Sequence, residues 1–537
     1  MGAKESIVLG LLLTAISCFI TISSAAKDDF QQDMKIQCSF TRYPNLCIQT
    51  LTGLASGNQK LDFASALVNM TIRESEIPES APADDEKSSS NLISPQTSQL
   101  AQMTIDYCHE LMKMSLKRLN QALEALQKSP KRHKPDIQTW ISAAITFQQS
   151  CKDEINDHTE SNPLMEKISR KIDHLSELSS NSLALANRIP GNLETRKMTT
   201  SRRLHVQNFP EWVSASDRKL LQSTAIKANA VVAKDGSGDY KTVSEAVQAA
   251  GGGRFVIYVK AGTYNEKVHV NKDGITLIGD GKYSTVISAS SNVAGGSSLK
   301  GSATFTINGD GFIARDIGFE NTAGPNGHQA VALNIASDRS VLFRCSIVGY
   351  QDTVYAHTLR QFYRECDIYG TVDYIFGNAV AVFQSCTLTF RRPRNGGAFN
   401  TILANGRTDP GQNTGFSVQN CKITVGSDFA PVKNSYKSYL GRPWKAYSRA
   451  VVMQTSIDGE IDARGWVEWE GAGGSTYKTL YFAEYANTGP GSSTSGRVNW
   501  PGFHVIGTPD ASKFTVANFI GGNSWLPATG VDFTSGL

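Results

Sequence analysis

A short repeat in the second half of the chain constrains its fold most. Cys345, Cys366 and Cys386 recur at nearly equal steps of about 20 residues, the scale of a solenoid coil. Each sits in a compact apolar run: Phe343-Arg344-Cys345-Ser346-Ile347, then Phe362 to Ile368, then Phe383-Gln384-Ser385-Cys386-Thr387-Leu388. Cys421-Lys422-Ile423 closes the series after a wider step, which implies a longer coil with an inserted loop. One short strand per repeat fits a right-handed parallel β-helix better than a sandwich. Coils stack about 4.8 Å apart, so residues one period apart become neighbours.

That period gives meaning to two blocks, Gly349-Tyr350-Gln351-Asp352-Thr353 and Gly370-Thr371-Val372-Asp373-Tyr374-Ile375-Phe376-Gly377. An Asp beside glycine is usually a turn residue. Here Asp352 and Asp373 are separated by the same step as Cys345 and Cys366, so the repeat places them on adjacent coils. Two carboxylates held that close cannot both ionise easily. One then serves as proton donor and the other as anionic nucleophile or base. Gln351 precedes Asp352, and Gln329 lies one coil earlier. Their amides suit a developing oxyanion and equally suit an amide ladder between coils. In Leu440-Gly441-Arg442-Pro443-Trp444, the Arg442 guanidinium can hold a carboxylate in a fork. Trp444 can stack on a sugar ring. Tyr355 and Phe376, three residues beyond each Asp, are placed to line the same cleft. His328 and His357 are read as structural or surface residues. The absence of a Gly-x-Ser-x-Gly elbow disfavours a Ser-His-acid hydrolase.

The first half has a different texture. Lys4, an apolar run from Ile7 to Ile22 and Ser23-Ser24-Ala25-Ala26 follow the order of a secretory signal, 1–26. An uncleaved anchor is the alternative, because the apolar run is slightly long. Outside Cys18 the eight cysteines fall into two sets of four, and even counts in a secreted chain favour disulfides. No CxxC or HExxH pattern points to a metal, and no cofactor is expected. Asn69-Met70-Thr71 is a glycosylation sequon. Residues 27–190 read as a helical bundle: Leu116, Leu119, Leu123 and Leu126 recur at helical spacing, and Asp136 is placed to cap a helix bearing Trp140, Ala144, Phe147 and Cys151. The Ser-, Pro- and acid-rich stretch from Ser80 to Gln99 reads as a solvated loop. In the linker, 191–222, Arg202-Arg203-Leu204 and Arg218-Lys219-Leu220-Leu221 read as processing sites or as plain exposed charge. From residue 223 to 537 the chain is β-rich, with Phe255 to Val259 and Ile275 to Ile278 as compact strands. A net charge of +4 over 537 residues does not suggest nucleic acid.

Taken together, these blocks resemble plant pectin methylesterases over nearly the whole chain. The resemblance rests on the Asp352, Asp373 and Arg442 blocks. Ala303-Thr304-Phe305, the run from Gly309 to Asp316, and Trp500-Pro501-Gly502-Phe503 add to it. The stretch from Cys38 to Cys47 and that from Asp136 to Trp140 resemble the invertase/pectin methylesterase inhibitor domain. The family implies hydrolysis of galacturonate methyl esters in cell-wall pectin, by a secreted enzyme that is a monomer after processing. It implies Asp373 as nucleophile and Asp352 as acid and then base. Gln329 and Gln351 would hold the oxyanion, and Arg442 would orient Asp373. Trp444, Tyr355 and Phe376 would line the sugar cleft. It also implies bridges Cys366–Cys386, Cys38–Cys47 and Cys108–Cys151, with Cys345 and Cys421 free. Inhibitor-domain proteins and a processing protease are the implied partners. Family members often carry a substrate-contacting Thr where Leu299 stands here, so no contact is assigned there.

Two other readings compete. A galacturonan hydrolase or lyase on the same fold would need acids spaced for glycosidic cleavage, or acids clustered for calcium. The other is a non-catalytic binding protein in which the helical domain inhibits a partner.

Overall fold

The computed structural model describes residues 29–53, 62–77, 95–157, 162–191, 227–396 and 398–537. The signal segment and both basic linker motifs, including Arg218, Lys219, Leu220 and Leu221, lie outside the described residues. The chain divides into two compact units, Met1–Glu194 and Thr195–Leu537.

The first unit is helical. Its elements are α1 (Pro44–Thr52), α2 (Phe63–Arg73), α3 (Pro95–Lys128), α4 (Lys134–Asn156) and α5 (Pro163–Asn187). Of the polar stretch read as a loop, 80–94 lie outside the described residues, and 95–99 instead form the start of α3. Helices α2 to α5 pack in a closed ring, each against two neighbours, as a four-helix bundle. Local chemistry sets the helix starts. Asn162 caps α5 by accepting from the amides of Leu164 and Met165, and Pro163 takes the first helical position, where no amide is needed. Asp136 does not cap α4. The helix starts earlier because Pro135 suits its first turn, which leaves Asp136 inside that turn with its carboxylate 3.2 Å from His133 Nδ1. The bundle core gathers Leu119, Leu126, Ile141, Ala144 and Leu183. Disulfides Cys38–Cys47 and Cys108–Cys151 staple this unit. Asn69 is half-buried on α2 and Thr71 is fully buried, so the folded helix does not present the sequon openly.

The second unit is a parallel β-helix. Three parallel sheets of 11, 7 and 8 strands run its length. The seven-stranded sheet carries the candidate site. Its strands are β1 (Val268–Val270), β2 (Phe305–Ile307), β3 (Leu333–Ile335), β4 (Val354–Ala356), β5 (Ile375–Gly377), β6 (Asn400–Asn405) and β7 (Ser438–Pro443). Apolar side chains of successive coils stack inside, as Tyr363 does on Phe383, and within one coil Phe305 meets Phe319 edge to face. Each coil turns a corner on a left-handed residue just before the cysteine column or its continuation: Arg344 (φ 51°), Glu365 (55°), Ser385 (55°), Asn420 (52°) and Gln454 (52°).

That column overturns one expected bridge. Cys366 and Cys386 are both free and buried, as are Cys345 and Cys421. The register pairs Arg364 with Gln384 and Asp367 with Thr387, so the two cysteines occupy the same position on adjacent rungs. In-register side chains project in parallel and keep the rung spacing of about 4.8 Å, wider than the roughly 3.8 Å between Cβ atoms that a disulfide prefers. Each thiol points to a backbone carbonyl instead, Cys366 to Leu342 and Cys386 to Tyr363. Peptide mapping without reductant should therefore find alkylatable thiols at Cys366 and Cys386 and intact bridges at Cys38–Cys47 and Cys108–Cys151.

Candidate active site

The two acid turns are stacked one above the other. Asp352 lies two residues before β4 and Asp373 two before β5, and those strands pair Val354 with Ile375 and Tyr355 with Phe376. Both acids adopt left-handed backbone, φ 63° and 49°, a conformation that Asp tolerates better than most residues. The Asp352 amide donates to the Val372 carbonyl at 3.0 Å, and the Thr371 amide to the Tyr350 carbonyl at 2.9 Å. Gly370 lets the second turn close on itself and sit against the first: a Cβ there would stand 2.1 Å from that of Tyr374 in its own turn and 2.8 Å from Thr353 Oγ1 in the other.

Arg442 reaches the pair from two rungs away. Phe376 on β5, Ala404 on β6 and Arg442 on β7 share one column. The guanidinium donates to Asp373 through Nε at 2.9 Å to Oδ1 and through a terminal nitrogen at 2.6 Å to Oδ2, a two-pronged fork. Burial alone would lower the Arg442 pKa, but Asp373 beside it carries it above its ordinary value. Burial pushes the Asp352 carboxyl well above the usual range, the charge of Asp373 adds to this, and Arg442 only partly offsets it. Asp352 is thus a buried carboxyl biased toward its protonated form, next to Asp373 and the guanidinium that Asp373 holds.

The glutamines are brought together as well. Gln329 and Gln351 form a parallel bridge on neighbouring rungs. Among the described residues neither side-chain amide has a hydrogen-bond partner, and both are partly exposed, so their donors are available to a ligand. The aromatic residues sort into two depths. Tyr355 and Phe376 are buried and stacked, with ring centroids 4.4 Å apart and planes 8° apart. Neither ring is open to solvent. Trp444 is half-buried at the edge of Phe376, with centroids 6.0 Å apart. Leu299 packs against the same apolar cluster. His357 stacks on Tyr355, and burial pulls its pKa down to about 3, which keeps the imidazole neutral.

Three residues around Asp373 and its partner Arg442 were not found from sequence. Thr401, fully buried on β6, donates from its hydroxyl to Asp373 Oδ1 at 2.7 Å and accepts from the Asp373 amide at 2.8 Å. Trp469 and Phe399 lie against Arg442, whose guanidinium carbon is 4.2 Å from the first ring centre and 5.4 Å from the second. The step from Asp373 to Thr401 is wider than the regular period. A longer coil disguised its place one rung on. Trp469 had a signal in the block Trp466-Val467-Glu468-Trp469, but nothing local tied that block to Arg442. Among the described residues no cluster of three or more His, Cys, Asp or Glu is placed to hold a metal ion.

Comparison with known proteins agrees with this geometry. Residues 229–523 match the Pectinesterase family and residues 32–185 match Plant invertase/pectin methylesterase inhibitor. The chain is 48% identical to probable pectinesterase/pectinesterase inhibitor 54 of Arabidopsis thaliana, over 96% of each chain. It is 45% identical to pectinesterase 2 of Citrus sinensis, over 98% of this chain and all of the relative. Among solved structures, pectin methylesterase from carrot is 53% identical, with a TM-score of 0.57 over 59% of this chain and all of the carrot protein.

Proposed function

The chain belongs to the pectinesterase family and is a pectinesterase with an inhibitor-type helical domain ahead of it, and from that premise we propose that it demethylates cell-wall pectin through an Asp373 nucleophile. The observation that carries this reading is the Arg442 fork on Asp373 beside the buried carboxyl of Asp352, biased toward its protonated form.

The reaction follows from those two states. The Asp373 carboxylate adds to the carbonyl carbon of a galacturonate methyl ester, and the carbonyl oxygen takes up the electron pair. Gln329 and Gln351 donate to that oxyanion from their unengaged amides. Collapse breaks the bond to methoxide, and Asp352 supplies the proton that lets it leave as methanol. The intermediate is an anhydride between Asp373 and galacturonate. Asp352, now ionised, takes a proton from water as the oxygen attacks the galacturonate carbonyl. Asp373 departs as a carboxylate and Asp352 is again protonated. Trp444 lines the sugar path beside the stacked Tyr355 and Phe376.

The assay is methanol release from highly esterified pectin with the polymer length followed in parallel. Methanol without shortening supports the esterase. Chain cleavage without methanol would mean a glycosidic enzyme instead. The oxyanion assignment has its own check. Gln351→Leu should lower kcat about 100- to 1000-fold and leave Tm unchanged, because the amide has no internal partner to lose. A falling Tm with intact kcat would make Gln351 part of an amide ladder.

The chain's targeting pattern and paired cysteines support export to the cell wall, with the helical unit keeping the enzyme idle or controlling its export until the linker is cut. Comparing the full chain with a form beginning at residue 223 tests this. Equal activity of the two would leave the helical unit an export role only.

A further inference from the structure

We propose that Thr401 is the positioning residue of the nucleophile, holding both the turn and the carboxylate of Asp373. This rests on the assignment of Asp373 as the attacking group. The backbone of Thr401 brackets the acid turn: its amide donates to the Thr371 carbonyl at 3.0 Å, and its carbonyl accepts from the Tyr374 amide at 3.3 Å. Its hydroxyl closes the same turn from within. The oxygen accepts from the Asp373 amide at 2.8 Å, and the hydroxyl proton goes to Oδ1 of the same residue at 2.7 Å. One side chain thereby fixes the backbone that aims Asp373 and the rotation of its carboxylate within the Arg442 fork.

The stacked acid turns differ at this point. One rung away, the Asp352 amide donates to a backbone carbonyl, that of Val372. No side-chain hydroxyl stands there, and among the described residues no donor reaches the Asp352 carboxyl. Two acids at equivalent positions of a repeat therefore receive opposite surroundings. Asp373 gains a fork and a hydroxyl donor. Asp352 gains burial and the nearby Asp373, which favour its neutral form, and Arg442 offsets them only in part. Thr401 and Arg442 together break the repeat's symmetry on the side of the nucleophile, and Thr401 alone also fixes the turn.

The test pairs Thr401→Val, which keeps the shape and loses the hydroxyl, with Thr401→Ser, which keeps the hydroxyl and loses the methyl. Both are made in the full chain, with Asp373→Asn alongside. Thr401→Val should lower kcat by about 10- to 100-fold, the loss typical of a misplaced reacting group, while KM stays within about twofold. Thr401→Ser should restore kcat to within about threefold of the parent. A merely structural role would move Val and Ser together, or move KM. Should Thr401→Val fail to fold, Thr401→Ala takes its place under the same criteria. Full kcat in the hydroxyl-free variant, or equal losses in it and in Ser, overturns the proposal. If Asp373→Asn is inactive while the hydroxyl-free variant matches the parent, only the role of Thr401 falls. If Asp373→Asn stays active, the nucleophile assignment falls.

Discussion

Asp373→Asn is expected to lower kcat/KM on esterified pectin by roughly ten-thousandfold, the scale seen when a covalent nucleophile is removed. Asparagine has the same shape, but its amide oxygen carries no negative charge and does not add to an ester. At about 1.4 kcal/mol per tenfold, that loss is roughly 5.5 kcal/mol of transition-state stabilisation. The variant should also lose stability. Arg442 and Asp373 have side chains only 15% and 6% exposed, and breaking a buried pair by removing one partner costs on the order of 3–5 kcal/mol. Activity must therefore be compared below the lowered Tm. The double variant Asp373→Asn with Arg442→Gln should recover part of that stability without recovering activity. More than a tenth of parental kcat/KM in well-folded Asp373→Asn would end the assignment.

Asp352→Asn is the second large effect, and its signature lies in the pH profile. Loss of the proton donor should cost about 100- to 10,000-fold in kcat, because methoxide leaves poorly without protonation. The parent should stay active as pH rises from the ordinary carboxylate range and lose activity only as pH passes the raised Asp352 pKa. The variant's small residual rate should lack that alkaline limb. Stability moves in the same sense. Between the ordinary value of 3.8 and the raised folded value, the folded state keeps a proton that the unfolded chain has lost. The contribution of Asp352 is therefore full below the unfolded pKa. It declines with rising pH across that window, by up to about 1.4 kcal/mol per pH unit. Asp352→Asn should flatten this slope in urea titrations at several pH values. An unchanged alkaline limb in the residual activity would assign it to another group.

Much of the site was legible because a repeat converts sequence distance into spatial distance. The single-period step from Asp352 to Asp373 reappears as the pairing of β4 with β5, and the similar step from Gln329 to Gln351 as a bridge between rungs. Arg442 was legible from chemistry, a fork-shaped donor between Gly and Pro, although it lies far along the chain from Asp373. Thr401 was hidden by a coil longer than its neighbours, and Trp469 by its distance from any acid. Tyr355 and Phe376, expected to line a cleft, are a buried stacked pair. The misplaced cap at Asp136 and the unformed Cys366–Cys386 bridge have a common origin. Both turn on backbone placement that residue type does not specify: where the helix starts, and the distance at which in-register rungs hold two cysteines.

By itself, then, the sequence determined the coil period, the stacking of two acids and two glutamines on one face, and a stapled helical bundle ahead of them. All of these follow from periodicity and residue chemistry, which are properties of the chain read in one dimension. Only the tertiary structure decided how the surroundings of the two acids differ. Asp352 and Asp373 occupy the same position in the repeat, and what separates them comes from other rungs: a guanidinium from β7 and a hydroxyl from β6 on Asp373, and dry burial around Asp352. A carboxyl's protonation state depends on everything packed within a few ångströms of it, and that set of neighbours exists only once the coils have closed.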